Sequence, residues 1–350
     1  PIEGNGKVGG RIDFLSWEGY DLPDPMKDWK QQNGVDLKAT YIATHDDIQA
    51  KLIAAKGKGG YDLITYYQGY KPLYRELDLL SPLDPEKVPN LKNLYPFFQG
   101  DEGSFWIDPD GTRTGVPWDY GAIGITWDEA VLKGGLTSWY DLLDPKFKGK
   151  VGAVDDPQGN LALTAHILGK QPDKIEKDSQ DLADIKDFLS KMWAQTTGVS
   201  ASYGDMTQKL VSGDCVACWM GWAAMNTFAA AKGVNTVKTA LPKEGSYGFS
   251  DAWAIPVGAD NVDTIYSWMN QTLDPAANAK IAEFLVGATV TPAGVDLLSP
   301  EIRALYDYSN IDALFAAAPL YNNPPTESDQ YLTTKEWTDI YTELKAGVGG

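Results

Sequence analysis

The segment GVPWDYGAIGITW, residues 115–127, is an apolar passage with a polar, glycine-containing break at Trp118–Gly121. Apolar runs rich in β-branched and aromatic residues predict strands, and the break divides this run in two. We expect the passage to cross from one α/β lobe to another. The short run DAWAIP, residues 251–256, predicts a strand that returns to the first lobe. Two crossings form a hinge with a ligand cleft beside it.

Strand and helix patterns alternate on both sides of the first crossing. Before it, strands are predicted over 11–17, 36–42 and 61–67, and helices over 24–32 and 46–55. After it, strands are predicted over 150–154, 215–220 and 235–241, and helices over 160–168, 181–195, 206–212, 221–231, 262–272, 276–286 and 334–345. A βαβαβ start predicts an α/β fold with a mostly parallel sheet. The expected domains are residues 1–120 with 251–296, and 121–250 with 297–350.

Composition excludes several classes of protein. The 350 residues carry a net charge of −18, which repels nucleic acid and anionic lipid. No run approaches the ~18 apolar residues of a membrane-spanning helix, so we expect no membrane insertion. Residues 1–10 lack the pattern of a signal peptide, and we expect a mature chain from which the signal has been removed.

The two cysteines, Cys215 and Cys218, lie in an apolar run that predicts a buried strand. Residues three apart in a strand point to opposite faces, so a disulfide between them is geometrically poor. We expect buried, unreactive thiols. Their redox state and the compartment stay open on this evidence.

Acidic and aromatic residues recur just after the predicted strands, where ligands bind in α/β sheets. Aromatic faces attract cations, and carboxylates accept hydrogen bonds from ammonium groups. None of the four arginines stands at these positions, so a carboxylate or phosphate ligand lacks its usual partner. A cationic amine is therefore the predicted ligand. The candidate site residues are Trp17, Glu18, Tyr20, Tyr67, Trp118, Asp119, Asp156, Trp219, Trp222, Phe249 and Asp251.

The chain resembles the spermidine/putrescine-binding family of periplasmic proteins from residue 14 to about 347. The segments that carry the resemblance are SWEGY (16–20), GYDLI (60–64), VPWDYGAIGI (116–125), TSWYDLLDPKFKGK (137–150), DD (155–156), PKEG (242–245), DAWAIP (251–256) and LSPE (298–301). The resemblance implies a two-lobed type II periplasmic binding protein fold, with two parallel or mixed sheets flanked by helices and a two-strand hinge. It also implies a monomer without cofactor or metal that delivers its ligand to the membrane permease of an ABC importer. The implied location is the periplasm, or the outer surface through a lipid anchor in a Gram-positive cell.

The same resemblance implies roles for individual residues. Trp17 and Tyr20 would be aromatic contacts, and Tyr67 would stand where the family has a small polar ligand contact. Asp156 would be an acid for one amine, and Asp251 the central acid. Several positions depart from the family pattern. Gly159 replaces a second acid, and Thr289 replaces an aromatic residue. Gly19 stands where the family has an acid after the first strand, unless Glu18 fills that role, and the family's tryptophan in the Cys215 strand aligns with either Trp219 or Trp222. A long polyamine needs an anion at each end. A shorter amine, γ-aminobutyrate or an opine is therefore an alternative ligand.

Other functions remain as alternatives. A sugar would also stack on tryptophan, and paired acids are typical of glycoside hydrolases. The hydrolase is less favoured, because no nucleophile elbow, HExxH, P-loop or dinucleotide motif is present. We interpret His45 and His166 as structural, and Asp108–Gly111 as a turn rather than a calcium loop. Ligand is expected to favour closure of the lobes, because only the closed state contacts it on both sides.

Overall fold

The computed structural model describes residues 1–42 and 45–347, and for His45 and Asp46 it describes the backbone alone. The prediction for the His45 side chain therefore falls outside the described residues. The strands are β1 Gly10–Ser16, β2 Val35–Tyr41, β3 Leu63–Tyr67, β4 Val116–Pro117, β5 Gly121–Asp128, β6 Val151–Val154, β7 Thr196–Ser200, β8 Ala217–Trp222, β9 Val237–Ala240, β10 Gly248–Phe249 and β11 Asp251–Ala254.

The nine predicted helices lie close to their predicted positions, and the described residues form four further helices that were not predicted. Together the helices are α1 Lys27–Asn33, α2 His45–Ala55, α3 Lys71–Glu76, α4 Pro96–Gln99, α5 Pro157–Ile167, α6 Gln180–Trp193, α7 Tyr203–Ser212, α8 Ala224–Ala230, α9 Val262–Thr272, α10 Pro275–Leu285, α11 Pro300–Arg303, α12 Ile311–Ala317 and α13 Thr334–Ala346. Side-chain caps explain several starts. Ser179 accepts a backbone hydrogen bond at the start of α6, and Thr333 with Glu336 forms a capping box on α13.

Contacts divide the chain into two compact units, Pro1–Gly121 with Phe249–Asp312, and Ala122–Gly248 with Ala313–Gly350. The chain changes unit within β5, within β10 and a third time within α12, where the sequence analysis named only two crossing strands. Residues 297–312 were expected in the second domain, yet they pack in the first unit. Leu298 and Ile302 form an apolar cluster with Ala279 and Ala282 of α10.

The first sheet has the strand order β2-β1-β3-β11-β4. β1 is parallel to β2 and β3, whereas β11 is antiparallel to β3 and β4. The sheet is therefore mixed, because the returning strand enters it in the opposite direction to its neighbours. This direction brings the beginning of β11 to the edge at which β1, β3 and β4 end.

The second sheet has the order β10-β5-β8-β6-β7, with β9 paired to β5. β6 is parallel to β7 and β8, and β5 is antiparallel to β8 and β9. β7 is not predicted from the sequence, because TTGVS is short and contains a glycine. Two mixed sheets flanked by helices confirm the predicted α/β class.

The cysteine geometry differs from the prediction. Both thiols are buried and free, but β8 begins at Ala217, so Cys215 lies in the bend before the strand. Each Sγ atom lies 3.1 Å from the position that a Cβ on Gly152 would take. The prediction that the two thiols point to opposite faces is wrong, because it assumed a strand that includes both residues.

Candidate ligand-binding site

An acid pair, defined as Asp119 and Asp251, lies at the edge of the first sheet. Asp251 is the first residue of β11 and stands opposite Tyr67, the last residue of β3. Asp119 follows β4 in the polar break of the crossing passage. Its backbone carbonyl accepts a hydrogen bond from Ser250 Oγ at 2.7 Å. The mixed sheet therefore gathers residues that are far apart in sequence.

The acid pair is buried and its members are hydrogen bonded. The Asp251 backbone N–H donates to Asp119 Oδ1 at 2.8 Å, and the Tyr20 hydroxyl donates to Asp251 Oδ2 at 3.0 Å. Asp119 is only 8% exposed and Asp251 6%. Burial raises the pKa of Asp251 to about 6, while burial and the neighbouring carboxylate raise the pKa of Asp119 well above its usual range.

Aromatic rings support this pair. The Tyr20 ring meets Trp118 edge-on at 5.1 Å, and Trp118 stacks on Trp253 at 4.5 Å. Trp118 is fully buried, and its Nε1 donates to Thr65 Oγ1 at 3.0 Å. Trp118 thus holds the Tyr20 ring in place from the interior of the unit. Burial and the Asp251 carboxylate raise the pKa of Tyr20, so this hydroxyl remains a donor.

The remaining candidates of the first unit differ in exposure. Tyr67 and Trp17 are half-buried. Glu18 is exposed, and in the part of the chain that the structure describes it forms no hydrogen bond with the acid pair. Phe249 is half-buried and its ring lies over Gly121, where a Cβ would stand 2.7 Å from Phe249 Cε1. Only glycine permits this close approach at position 121.

The second unit holds the other three candidates. Asp156 caps α5, with Oδ1 accepting from the Gly159 backbone N–H at 3.0 Å, and burial raises its pKa. Trp219 is fully buried, and its Nε1 donates to Asn160 Oδ1 at 2.8 Å. Trp222 is half-buried against the Tyr203 ring at 5.4 Å. Of the two tryptophans, Trp222 is therefore the one with a partly exposed side chain.

The comparisons with known proteins agree with this architecture. The profile of a family described as bacterial extracellular solute-binding proteins matches residues 26–305. The chain belongs to this family.

Relatives of this solute-binding protein include polyamine-binding proteins. It is 28% identical over 307 residues to the putrescine-binding periplasmic protein PotF of Escherichia coli K12, covering 83% of this chain and 81% of PotF. It is 25% identical over 341 residues to the spermidine/putrescine-binding periplasmic protein of the same organism, covering 95% and 91%.

Solved structures show the same fold. The substrate-binding protein PotD of a Streptococcus pneumoniae spermidine/putrescine ABC transporter superposes with a TM-score of 0.78 at 20% identity, over 97% of this chain and 99% of PotD. The TpPotD lipoprotein of Treponema pallidum gives 0.80 at 19% identity, over 95% and 99%. These matches confirm the binding-protein fold predicted from the sequence.

Sequence reasoning left Tyr247 out of the candidate site of this solute-binding protein. A Cβ on Gly159 would overlap both the Tyr247 hydroxyl and Asp156 Oδ2, and would stand 2.6 Å from Met220 Cε. The tyrosine hydroxyl and the acid therefore converge on the first turn of α5. Two features of the sequence pointed to Tyr247 in part: Gly159 departs from the family pattern, and Tyr247 precedes a strand.

Asp155, the acid next to Asp156, has a structural role in the second unit. Its Oδ2 forms an ion pair with Lys345 at 2.9 Å, and its Oδ1 accepts from the Tyr341 hydroxyl at 3.0 Å. Both partners belong to α13, 186 and 190 residues further along the chain. No local signal in the sequence indicates this pairing.

His166 has partners on both ring nitrogens. Nε2 lies 2.9 Å from the Glu244 carbonyl oxygen and Nδ1 lies 2.7 Å from the Tyr321 hydroxyl. Because a carbonyl only accepts, Nε2 carries the hydrogen, and burial lowers the pKa of the ring. These contacts support the structural interpretation.

Two further features of the described chain bear on other functions. Gly111 donates to the Asp108 carbonyl at 2.9 Å and Asp108 pairs with Lys71 at 2.8 Å, so this segment forms the predicted turn. Within the described residues, 1–42 and 45–347, no three or more metal-ligating side chains come together. In the same ranges, every helix is too short or too polar to cross a membrane.

Proposed function

We propose that this protein is the solute-binding component of an ABC importer and captures a small polyamine through the acid pair of its first unit. The observation that carries the proposal is the buried contact of Asp251 with Asp119 and the Tyr20 hydroxyl. The names of the relatives, which bind putrescine or spermidine, support the same class of ligand.

Electrostatics supports an ammonium ligand. Buried carboxylates cost free energy unless a positive charge is close. Among the described residues, no lysine or arginine contributes to lowering the pKa of Asp119 or Asp251. A protonated amine would supply this charge, and its three N–H donors suit carboxylate and hydroxyl oxygens. Tyr20, Tyr67 and Trp17 would cover its methylene groups.

The second unit supports a short ligand. Asp156 is its candidate acid, because Asp155 is paired with Lys345 and Gly159 has no side chain. The loss of a second acid at Gly159 supports a diamine such as putrescine over a longer triamine. An amine with one positive charge, such as γ-aminobutyrate or an opine, is the second candidate, since Asp156 is already hydrogen bonded as a helix cap.

Several parts of the sequence-based prediction belong to this proposal. They are the two lobes that close on the ligand, the membrane permease as partner, the monomeric state, the absence of catalysis, and a location in the periplasm or on a lipid anchor. The family of extracellular solute-binding proteins supports the location and the transport role.

Isothermal titration calorimetry tests the ligand class. The panel is putrescine, cadaverine, spermidine, γ-aminobutyrate, an opine and a maltooligosaccharide, each titrated into protein that has been unfolded, dialysed and refolded to remove bound solute. We expect saturable binding of a diamine and no heat from the sugar. Binding of the sugar without binding of any amine would refute the proposal. Chemical conversion of a bound amine would refute the absence of catalysis.

A further inference from the structure

The two cysteine thiols of the second unit form a buried cluster apart from the candidate ligand-binding residues. Cys215 is 1% exposed and Cys218 is fully buried. Cys218 stands opposite Gly152 in the pairing of β6 with β8. The backbone N–H of Cys215 donates to the Lys209 carbonyl at 3.2 Å, which holds the bend before β8. The bend turns Cys215 back towards Cys218.

Gly152 makes room for both sulfur atoms. Each Sγ lies 3.1 Å from the position of a Cβ at residue 152, so a side chain there would press on both at once. The neighbouring Cys215 thiol, together with burial, raises the pKa of the Cys218 thiol. The sulfurs therefore face each other across one glycine, with Met206 as a further neighbour.

We propose that Cys215 and Cys218 form a disulfide bond when this protein is exported. Thiols held side by side are oxidised readily in an oxidising compartment, and the family is extracellular. The inference depends on the location outside the cytoplasm and not on the nature of the ligand. The bond would fix the conformation of the bend before β8, the strand that ends at Trp222.

The reaction is thiol–disulfide exchange with a disulfide-bearing oxidoreductase or with oxidised glutathione. One cysteine thiolate attacks the disulfide of the exchange partner, which forms a mixed disulfide and releases one partner thiolate. The second cysteine then attacks the mixed disulfide and releases the other partner thiolate. The two protons and two electrons of the cysteines end on the partner, which leaves as thiols. Because both residues are buried in the native fold, the exchange takes place during folding.

Thiol trapping on exported protein tests the bond. The full chain is secreted to a bacterial periplasm, quenched in acid, unfolded in guanidinium, treated with N-ethylmaleimide without reductant, and weighed by intact mass spectrometry. We expect no adduct before reduction and two adducts after it. The Cys218→Ser variant is the control, and its remaining thiol should take one adduct without reduction. Two adducts on the unreduced exported protein would overturn the proposal.

A second measurement needs no variant. Purified wild-type chain is equilibrated in glutathione redox buffers, once while refolding and once in urea, and the oxidised fraction is compared. If the fold brings the sulfurs together, folding should raise the equilibrium constant for the disulfide by roughly tenfold or more. A lower constant in the folded protein would show that the fold opposes the bond. Calorimetry with the amine panel reports separately on the proposed function, so either idea can fail alone.

Discussion

Replacing Asp251 by asparagine separates two effects of this carboxylate. One is its contribution to amine binding, and the other is its destabilisation of the ligand-free fold. Burial raises the pKa of Asp251 from 3.8 to about 6. At about 1.36 kcal/mol per pH unit, keeping Asp251 ionised in the ligand-free fold costs about 3 kcal/mol at neutral pH. Asparagine has the same shape without the charge, and its oxygen can still accept from the Tyr20 hydroxyl.

The substitution should therefore have opposite effects on stability and on affinity. The free energy of unfolding of the ligand-free Asp251→Asn variant should rise by up to about 3 kcal/mol at neutral pH. Because the folded pKa lies above the unfolded value, the gain should be near zero below about pH 4 and complete above about pH 6. Amine affinity should fall at least roughly thirtyfold, corresponding to ~2 kcal/mol or more.

Urea unfolding and calorimetry measure the two effects. Asp62→Asn is the matched control, because Asp62 is also buried in the first unit but accepts hydrogen bonds from the Asp13 and Asp260 backbones at 2.8 Å. We expect the control to change stability while leaving affinity within about twofold. A change of less than about threefold in the affinity of Asp251→Asn would refute the assignment. A loss of stability in that variant would refute the electrostatic cost.

Three further predictions concern the same protein. Tyr20→Phe removes the hydroxyl that meets Asp251 Oδ2 at 3.0 Å and should weaken amine binding by roughly 3- to 30-fold in calorimetry; Tyr41→Phe, which removes an exposed hydroxyl, should change affinity by less than about twofold. Amine affinity should rise as the pH increases through about 6, because the ligand needs an ionised Asp251; calorimetry in two buffers of different ionisation enthalpy should show proton release at about pH 5.5, and equal heats would contradict the linkage. Gly159→Ala should lower both melting temperature and affinity, because its Cβ would overlap neighbouring side-chain oxygens, whereas the control Gly204→Ala, whose Cβ would lie 3.6 Å from Ser202 Oγ, should lower neither; equal effects of the two substitutions would count against the convergence at Gly159.

The sequence by itself determined the elements and their order, because local patterns carry that information. The periodicity of residues 262–272 predicted α9 with the bounds that the structure has. The polar break in the crossing passage was correctly located between β4 and β5. The sequence also identified the acidic and aromatic residues at the strand ends as candidate site residues, and the family resemblance singled out Asp251 as the central acid.

Only the tertiary structure decided how the members of that list relate. Asp119 and Asp251 are 132 residues apart, and they meet because β11 enters the first sheet antiparallel to its neighbours. Burial of Trp219 rather than Trp222, and the meeting of two thiols over Gly152, depend in the same way on where a strand begins and which strand it pairs with. Strand direction and register come from packing between distant segments, which local sequence patterns do not encode.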